Sequence, residues 1–465
     1  MNALLFLPLY LFSVFFPLEQ RDSSANPQTP AAEKTVIRVT PANPVLDGDP
    51  ISVSISGLLP GKDVLVIGER VVRSQFLGGK TVLFQSRARF SVGESGRIEL
   101  GTAVPRDGSY SGADPRGLFW SMVPTDAPLP ADLKPGQVRF RVEPDGGQKA
   151  EVLIEFVQSL PDIVTEEVKE FPGAFFSYPK GKTGLPTVIV LGGAEGGSRS
   201  VRGEGPKFAS RGFAVLVLPY YSPPKPPLGE REIKELPADF KEIPIDRLEL
   251  ARNWLAGRKE ADAGRIALYG ASKGAEFALL AASHFEWIKA VVAVAPSDVI
   301  WEGWGLTIPE GTCSSFSFKG KPFPFVPYVG FGAEQGRHFK GLPVFLRRPH
   351  DRGRAANPKA AVEARIPIER FRGKLMLIAG QDDQLWNSAM MAHNIAERRA
   401  GAGLSTDSLI YSDAGHILTG TGWAPTTHYN AGLVQNGGTP AGNAAAQGEA
   451  WPKMLAFLRG ALGEK

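Results

Sequence analysis

The pentapeptide Gly270-Ala271-Ser272-Lys273-Gly274 stands between two runs of opposite character. Arg265 to Tyr269, before it, is apolar and strand-like, while Ala275 to Ser283, after it, is rich in helix formers. A G-x-S-x-G match between a strand and a helix describes a nucleophile elbow, a tight turn that lifts a serine hydroxyl above the edge of a sheet. The flanking glycines leave room where a Cβ would clash, and the helix N-terminus behind Ser272 offers positive partial charge to a developing oxyanion. In a chain with 53 glycines the bare pattern says little, so the flanking runs give it meaning.

At 465 residues the chain exceeds one ordinary core, and its 43% apolar content suffices for two globular domains. A net charge of +4 and the lack of a basic stripe interleaved with aromatics leave no case for nucleic acid. One cysteine, Cys313, excludes an intrachain disulfide and a thiolate metal cluster, and no metal or cofactor is expected. Ala3 to Leu18 form an apolar run of signal-peptide length, followed by a polar stretch to Glu33. No basic residue precedes the run and no A-x-A site follows it. It predicts an exported or membrane-anchored protein that touches a membrane through this segment, or a cytoplasmic one if the start is misassigned.

Residues 1–33 therefore read as this apolar segment and a linker, 34–160 as a first domain and 161–465 as a second. From Val36 to Phe156, short runs such as Val36 to Thr40, Ile51 to Ile55, Arg87 to Val92 and Val138 to Val142 alternate with turn residues, and no helical period intervenes. That pattern predicts an antiparallel β-sandwich of immunoglobulin-like size. Beyond Pro161, continuous apolar runs (Thr187 to Leu191, Phe213 to Leu218, Ala290 to Ala295, Leu375 to Ala379) alternate with helical patterns. They predict a mostly parallel sheet with helices on both faces, the α/β-hydrolase class. Residues 296–367, rich in Gly, Phe and Pro, interrupt this alternation as a long insertion without readable structure, in a place where such hydrolases often carry a lid. The tail from Thr419 to Gly448 is equally unreadable.

A serine hydroxyl needs a histidine to take its proton and a carboxylate to orient that histidine. In α/β-hydrolases they follow in the order serine, acid, histidine. Gly380-Gln381-Asp382-Asp383 ends one strand, and Asp413-Ala414-Gly415-His416 follows the next apolar run. Ser272, Asp383 and His416 are thus the expected catalytic residues; Asp382 is the alternative acid, read as a loop cap or a solvent-facing group. The oxyanion hole is expected from the backbone N–H of Lys273 and from the loop Gly192 to Gly197, at Gly193 or Ala194.

With these segments in place, the chain resembles the acyl-CoA thioesterase and bile acid-CoA:amino acid N-acyltransferase family. The resemblance rests on Gly270 to Glu276, Gly192 to Gly197, Gly212 to Val215 with Tyr220-Tyr221, Ile366 to Glu369, Gly380 to Asp383 with Trp386, and Asp114 to Met122. It implies a β-sandwich joined to an α/β-hydrolase, and Ser272, Asp383 and His416 as nucleophile, acid and base. It further implies an acyl-CoA or another acyl ester as substrate. By the same resemblance, the amino acid transferases carry cysteine at the elbow and the hydrolases serine. The expected activity is acyl-CoA thioester hydrolysis. The alternatives are an oxygen-ester carboxylesterase, acyl transfer to an amino acid, and an inactive binding module. The apolar N-terminus departs from what a CoA-using enzyme inside a cell needs. The insertion departs from the family's usual cap, and its Arg347, Arg348, Arg352 and Arg354 are the candidates for holding CoA phosphates.

Overall fold

The computed structural model describes residues 34–199, 201–224, 229–305 and 307–463. The apolar segment 3–18, on which the expectation of export rests, lies outside them. Among the described residues no helix is long and apolar enough to cross a membrane.

Eight strands build the large sheet: β1 (Ile163–Val168), β2 (Ala174–Pro179), β3 (Leu185–Leu191), β4 (Ala214–Val217), β5 (Ala261–Ala271), β6 (Ile288–Val294), β7 (Lys374–Gly380) and β8 (Asp407–Tyr411). Their spatial order is β1-β2-β4-β3-β5-β6-β7-β8. β2 runs antiparallel to β1 and β4, and every pairing from β4 to β8 is parallel. The central strands are apolar without alternation because both faces are covered, as parallel sheets require. Leu248, Ala251 and Leu255 of one helix (α2, Arg247–Ala256), most of the next (α3, Lys273–Ala282) and Ile395 of a third (Ser388–Gly401) cover one face. Phe208 of a short helix (α1, Glu204–Ala209) and Trp451, Met454, Leu455 and Leu458 of the last one (Pro440–Leu462) cover the other.

Register aligns the strand ends. Leu191 pairs with Gly270, Gly270 with Ala293, Ala271 with Val294, and Gly380 with Tyr411. The loops that follow these residues therefore emerge along one edge of the sheet, where ligands bind in open α/β folds.

The first domain pairs a three-stranded sheet (Val36–Thr40, Ser52–Ser56, Ile98–Glu99) with a larger one built on the hairpin Asp63–Ser74 and Lys80–Ser91. All its pairings are antiparallel but one: Val45–Leu46 lies parallel to Phe156–Val157. The C-terminal tail joins this domain's core. Trp423 packs edge-on against Phe119 at 5.1 Å between ring centroids, and its carbonyl accepts from Arg70 Nη1 at 2.7 Å.

The insertion is not structureless. It carries a small sheet at Phe316–Phe318 and three helices, α4 (Phe331–Phe339), α5 (Arg347–Ala356) and α6 (Pro358–Glu363). Its sequence hides them because α5, Arg-Arg-Pro-His-Asp-Arg-Gly-Arg-Ala-Ala, has no apolar stripe and is held by polar contacts and by the ring of His350.

Candidate active site

Ser272 sits between β5 and α3 at φ 56° and ψ −123°, an unusual backbone for a residue with a Cβ. Its N–H donates to Val294 O at 2.8 Å, fixing the turn to the neighbouring strand. The flanking glycines are sterically required. A Cβ on Gly270 would lie 2.2 Å from Gly274 O, and one on Gly274 2.4 Å from Gly192 O. Elbow and glycine loop are therefore in direct contact, and Gly193 lies against Ser272, its ideal Cβ position 3.4 Å from the serine Cβ.

As the first residue of α3, Lys273 has a backbone N–H without an intrahelical acceptor, directed as helix N-termini are. From the glycine loop, the N–H of Gly193 is already taken by Glu195 Oε1 at 3.1 Å. Ala194 is exposed and remains the second candidate donor.

Asp383 and His416 meet. The Asp383 carboxylate is fully buried: Oδ1 accepts from Leu385 N at 2.9 Å and Trp386 N at 3.2 Å, and Oδ2 faces His416 Nδ1 at 2.8 Å. A carboxylate on Nδ1 holds the proton there and leaves Nε2 as the basic nitrogen. The backbone of His416 is fixed as well, its N–H donating to Asn436 O at 2.8 Å. Asp382 faces elsewhere and accepts from Gly438 N at 2.8 Å and Gln384 Nε2 at 2.6 Å. Asp383→Asn should consequently lower kcat by about 10⁴-fold through loss of the correct tautomer. Asp382→Asn should cost less than about tenfold. Steady-state kinetics on the two variants checks this, and the opposite ranking would transfer the acid role to Asp382.

The four arginines of the insertion do not form one cradle. They lie on α5, where positions seven apart share one face and positions four apart share another. Arg347 and Arg354 turn inward: Arg347 Nη1 donates to Asp383 O at 3.1 Å, and Arg354 forks onto the carboxylate of Asp298. These two are engaged with Asp351, the Asp383 backbone and Asp298 rather than gathered with Arg348 and Arg352. Arg348 reaches Glu334 at 3.5 Å and stacks on Phe345, and Arg352 is exposed.

Three side chains had no functional reading from the sequence. The ammonium of Lys273 is buried, donating to Glu276 Oε2 and Ser315 Oγ at 2.7 Å each, with the rings of Phe240, Trp304 and Phe316 around it. Glu276 Oε1 accepts from Trp301 N at 3.0 Å, so nucleophile helix and insertion are tied twice. Burial lowers the Lys273 pKa and raises that of Glu276, each opposed by the other's charge. The i,i+3 spacing of this pair was a visible signal; its partners Ser315 and Trp301 were not. The third is His350, on α5, whose ring lies 4.6 Å from Trp301 and 5.6 Å from Trp386, which in turn edges His416 at 5.8 Å. Burial pushes the His350 pKa down to about 3, so this imidazole is neutral at neutral pH.

With a serine elbow, a buried Asp–His pair and a glycine loop on one sheet edge, similarity to known proteins becomes informative. The profile described as "BAAT / Acyl-CoA thioester hydrolase C terminal" matches residues 243–464, and "Acyl-CoA thioester hydrolase/BAAT N-terminal region" matches 48–170. The chain belongs to the acyl-CoA thioester hydrolase/BAAT family. The dienelactone hydrolase profile also matches residues 173–302, in keeping with the α/β-hydrolase fold. Among relatives of this family, mouse (Mus musculus) acyl-coenzyme A thioesterase 6 is 29% identical over 92% of this chain and 97% of its own length. Mouse "Acyl-coenzyme A thioesterase 2, mitochondrial" is 28% identical over 95% of this chain and 93% of its own. A rat (Rattus norvegicus) acyl-coenzyme A amino acid N-acyltransferase 2 is 27% identical over 90% and 96%. These relatives correct the expectation of an exported or anchored protein with a signal peptide: a family member named as mitochondrial aligns over nearly the whole chain.

Proposed function

We propose that the chain hydrolyses acyl-CoA thioesters to free acid and CoA through Ser272, His416 and Asp383. The observation that carries the reading is the 2.8 Å contact of the buried Asp383 carboxylate with His416 Nδ1, on the same sheet edge as the strained Ser272 elbow. His416 Nε2 takes the proton of Ser272 Oγ as the oxygen attacks the thioester carbonyl. The N–H groups of Lys273 and Ala194 receive the oxyanion. The C–S bond breaks, the CoA thiolate leaves with the proton, and an acyl-serine remains. Water, deprotonated by His416, then attacks that ester; the C–Oγ bond breaks, Ser272 Oγ takes the proton back from His416, and the acid is released. Arg348 and Arg352, on the outer face of α5, are the arginines left to meet CoA phosphates.

Acyl transfer to an amino acid is the second reading, favoured by the relative named as an N-acyltransferase. Serine at the elbow argues for hydrolysis, since by family resemblance the transferases carry cysteine there. The test offers the protein acyl-CoAs of several chain lengths and simple aryl esters, with and without excess glycine or taurine, and resolves products by mass spectrometry. Free acid and free thiol in equal amounts are expected with or without the amino acid. Predominant acyl-amino acid would make the chain a transferase, phenol release alone an oxygen-ester hydrolase, and no product at all a binding module.

A further inference from the structure

Helix α4 ends in a knob. Lys340 N and Leu342 N both donate to Arg337 O at 3.0 Å, Gly341 N donates to His338 O at 3.0 Å, and Gly341 turns the chain at φ 66°. Arg337 Nε locks the turn onto Pro343 O at 2.7 Å. At the apex stands Phe339, 88% exposed, with Leu342 beside it at 43%. No other large hydrophobic side chain among the described residues is as open as Phe339.

The segment that carries this apex has charge of one sign. Gln335 to His350 contains no acidic residue and carries Arg337, Lys340, Arg347 and Arg348. The acid that precedes this segment, Glu334, is buried and shared by Arg337 and Arg348 at 3.5 Å each. Asp351 is turned to Arg347, and Glu310 caps the opposite end of α4 at Gly332. Lys340 makes no ion pair among the described residues.

We propose that this knob docks the protein on an anionic lipid surface, with Phe339 and Leu342 entering the headgroup boundary and Lys340 meeting lipid phosphates. Shape selects lipid over a protein partner. A Cβ added at Gly336 or Gly341 would meet nothing within 4 Å, so the knob is convex and open. A stable protein interface needs about 800 Å² per partner. One exposed aromatic apex with an unpaired lysine beside it does not supply that, but it is what an interfacial anchor uses. The knob is also connected to the candidate site. Val344 N donates to Leu433 O, Gln435 N to Val344 O and Arg347 N to Gln384 O, so the chain just past the knob is pinned to the loops carrying Asp383 and His416. If the thioesterase reading holds, docking thus couples the surface into which long-chain substrates partition to the segments that hold the site; the docking itself does not depend on it.

The test places a nitrobenzoxadiazole probe on Phe339→Cys in the full chain, Cys313 being buried and unlabelled. This readout reports the knob alone, whatever residues 3–18 do. Blue-shifted, brighter emission is expected with vesicles containing phosphatidylglycerol and not with pure phosphatidylcholine. Adding Lys340→Glu should weaken the response by about tenfold at low salt. Water-like emission with the anionic vesicles, or an equal response to both lipids, would overturn the proposal. Because no substrate is present, inactivity toward acyl-CoA cannot be mistaken for failure to dock.

Discussion

Ser272→Ala is expected to lower thiol release from acyl-CoA by about 10⁴-fold or more, and His416→Ala to do nearly the same, because the groups act as a unit. The loss should appear in kcat, since neither substitution touches the surfaces that would hold CoA. Folding should survive. Alanine keeps the one Cβ that the φ 56° turn already accommodates, and the Ser272 N–H to Val294 O bond belongs to the backbone. Thermal melting of the parent and both variants, run beside the kinetics, separates lost chemistry from lost structure. Combining the two substitutions should cost little beyond either alone, and additive losses would mean that serine and histidine act separately.

The second large effect concerns stability. Glu276→Ala should destabilise the protein by about 3–5 kcal/mol, because the Lys273 ammonium would remain buried among Phe240, Trp304 and Phe316 without its counter-charge. The Trp301 N–H would lose its acceptor as well. At roughly 2 °C per kcal/mol for a domain of this size, the melting temperature should fall by about 6–10 °C. Replacing both members, Lys273→Met with Glu276→Met, should recover much of the loss, since a buried pair stabilises little over apolar residues of similar volume. If Glu276→Ala melts within about 2 °C of the parent, the pair is not the tie between α3 and the insertion.

How much of this was legible follows from what each segment uses to hold itself. Leu185–Leu191 and Ile288–Val294 are buried on both faces, so they show as unbroken apolar runs and fix the parallel sheet. The hairpin Asp63–Ser74 and Lys80–Ser91 is much longer than its readable parts, Val64 to Ile67 and Arg87 to Val92. Glu69, inside it, is buried against Arg139 and Arg141, and such a charge breaks the alternation that marks a strand. Helix α5 was invisible because its ties are made across space to Asp298 and the Asp383 backbone. The same reason separates the arginines: sequence shows four cations together, while helical geometry sends two inward and two outward. The elbow at Ser272 and the Asp383–His416 contact could be sought in the sequence because each of these residues follows a readable strand, whereas Asn436, which holds the His416 backbone, lies in a tail without periodicity.

The central claim is that the acyl group passes through Ser272. The most direct measurement quenches the protein in acid during turnover of a long-chain acyl-CoA and maps its peptides by mass spectrometry. A mass increase equal to the acyl group, confined to the peptide containing Ser272 and absent in Ser272→Ala, is the expected result. An acyl adduct on another residue, or undiminished turnover by Ser272→Ala with no adduct at all, would contradict it.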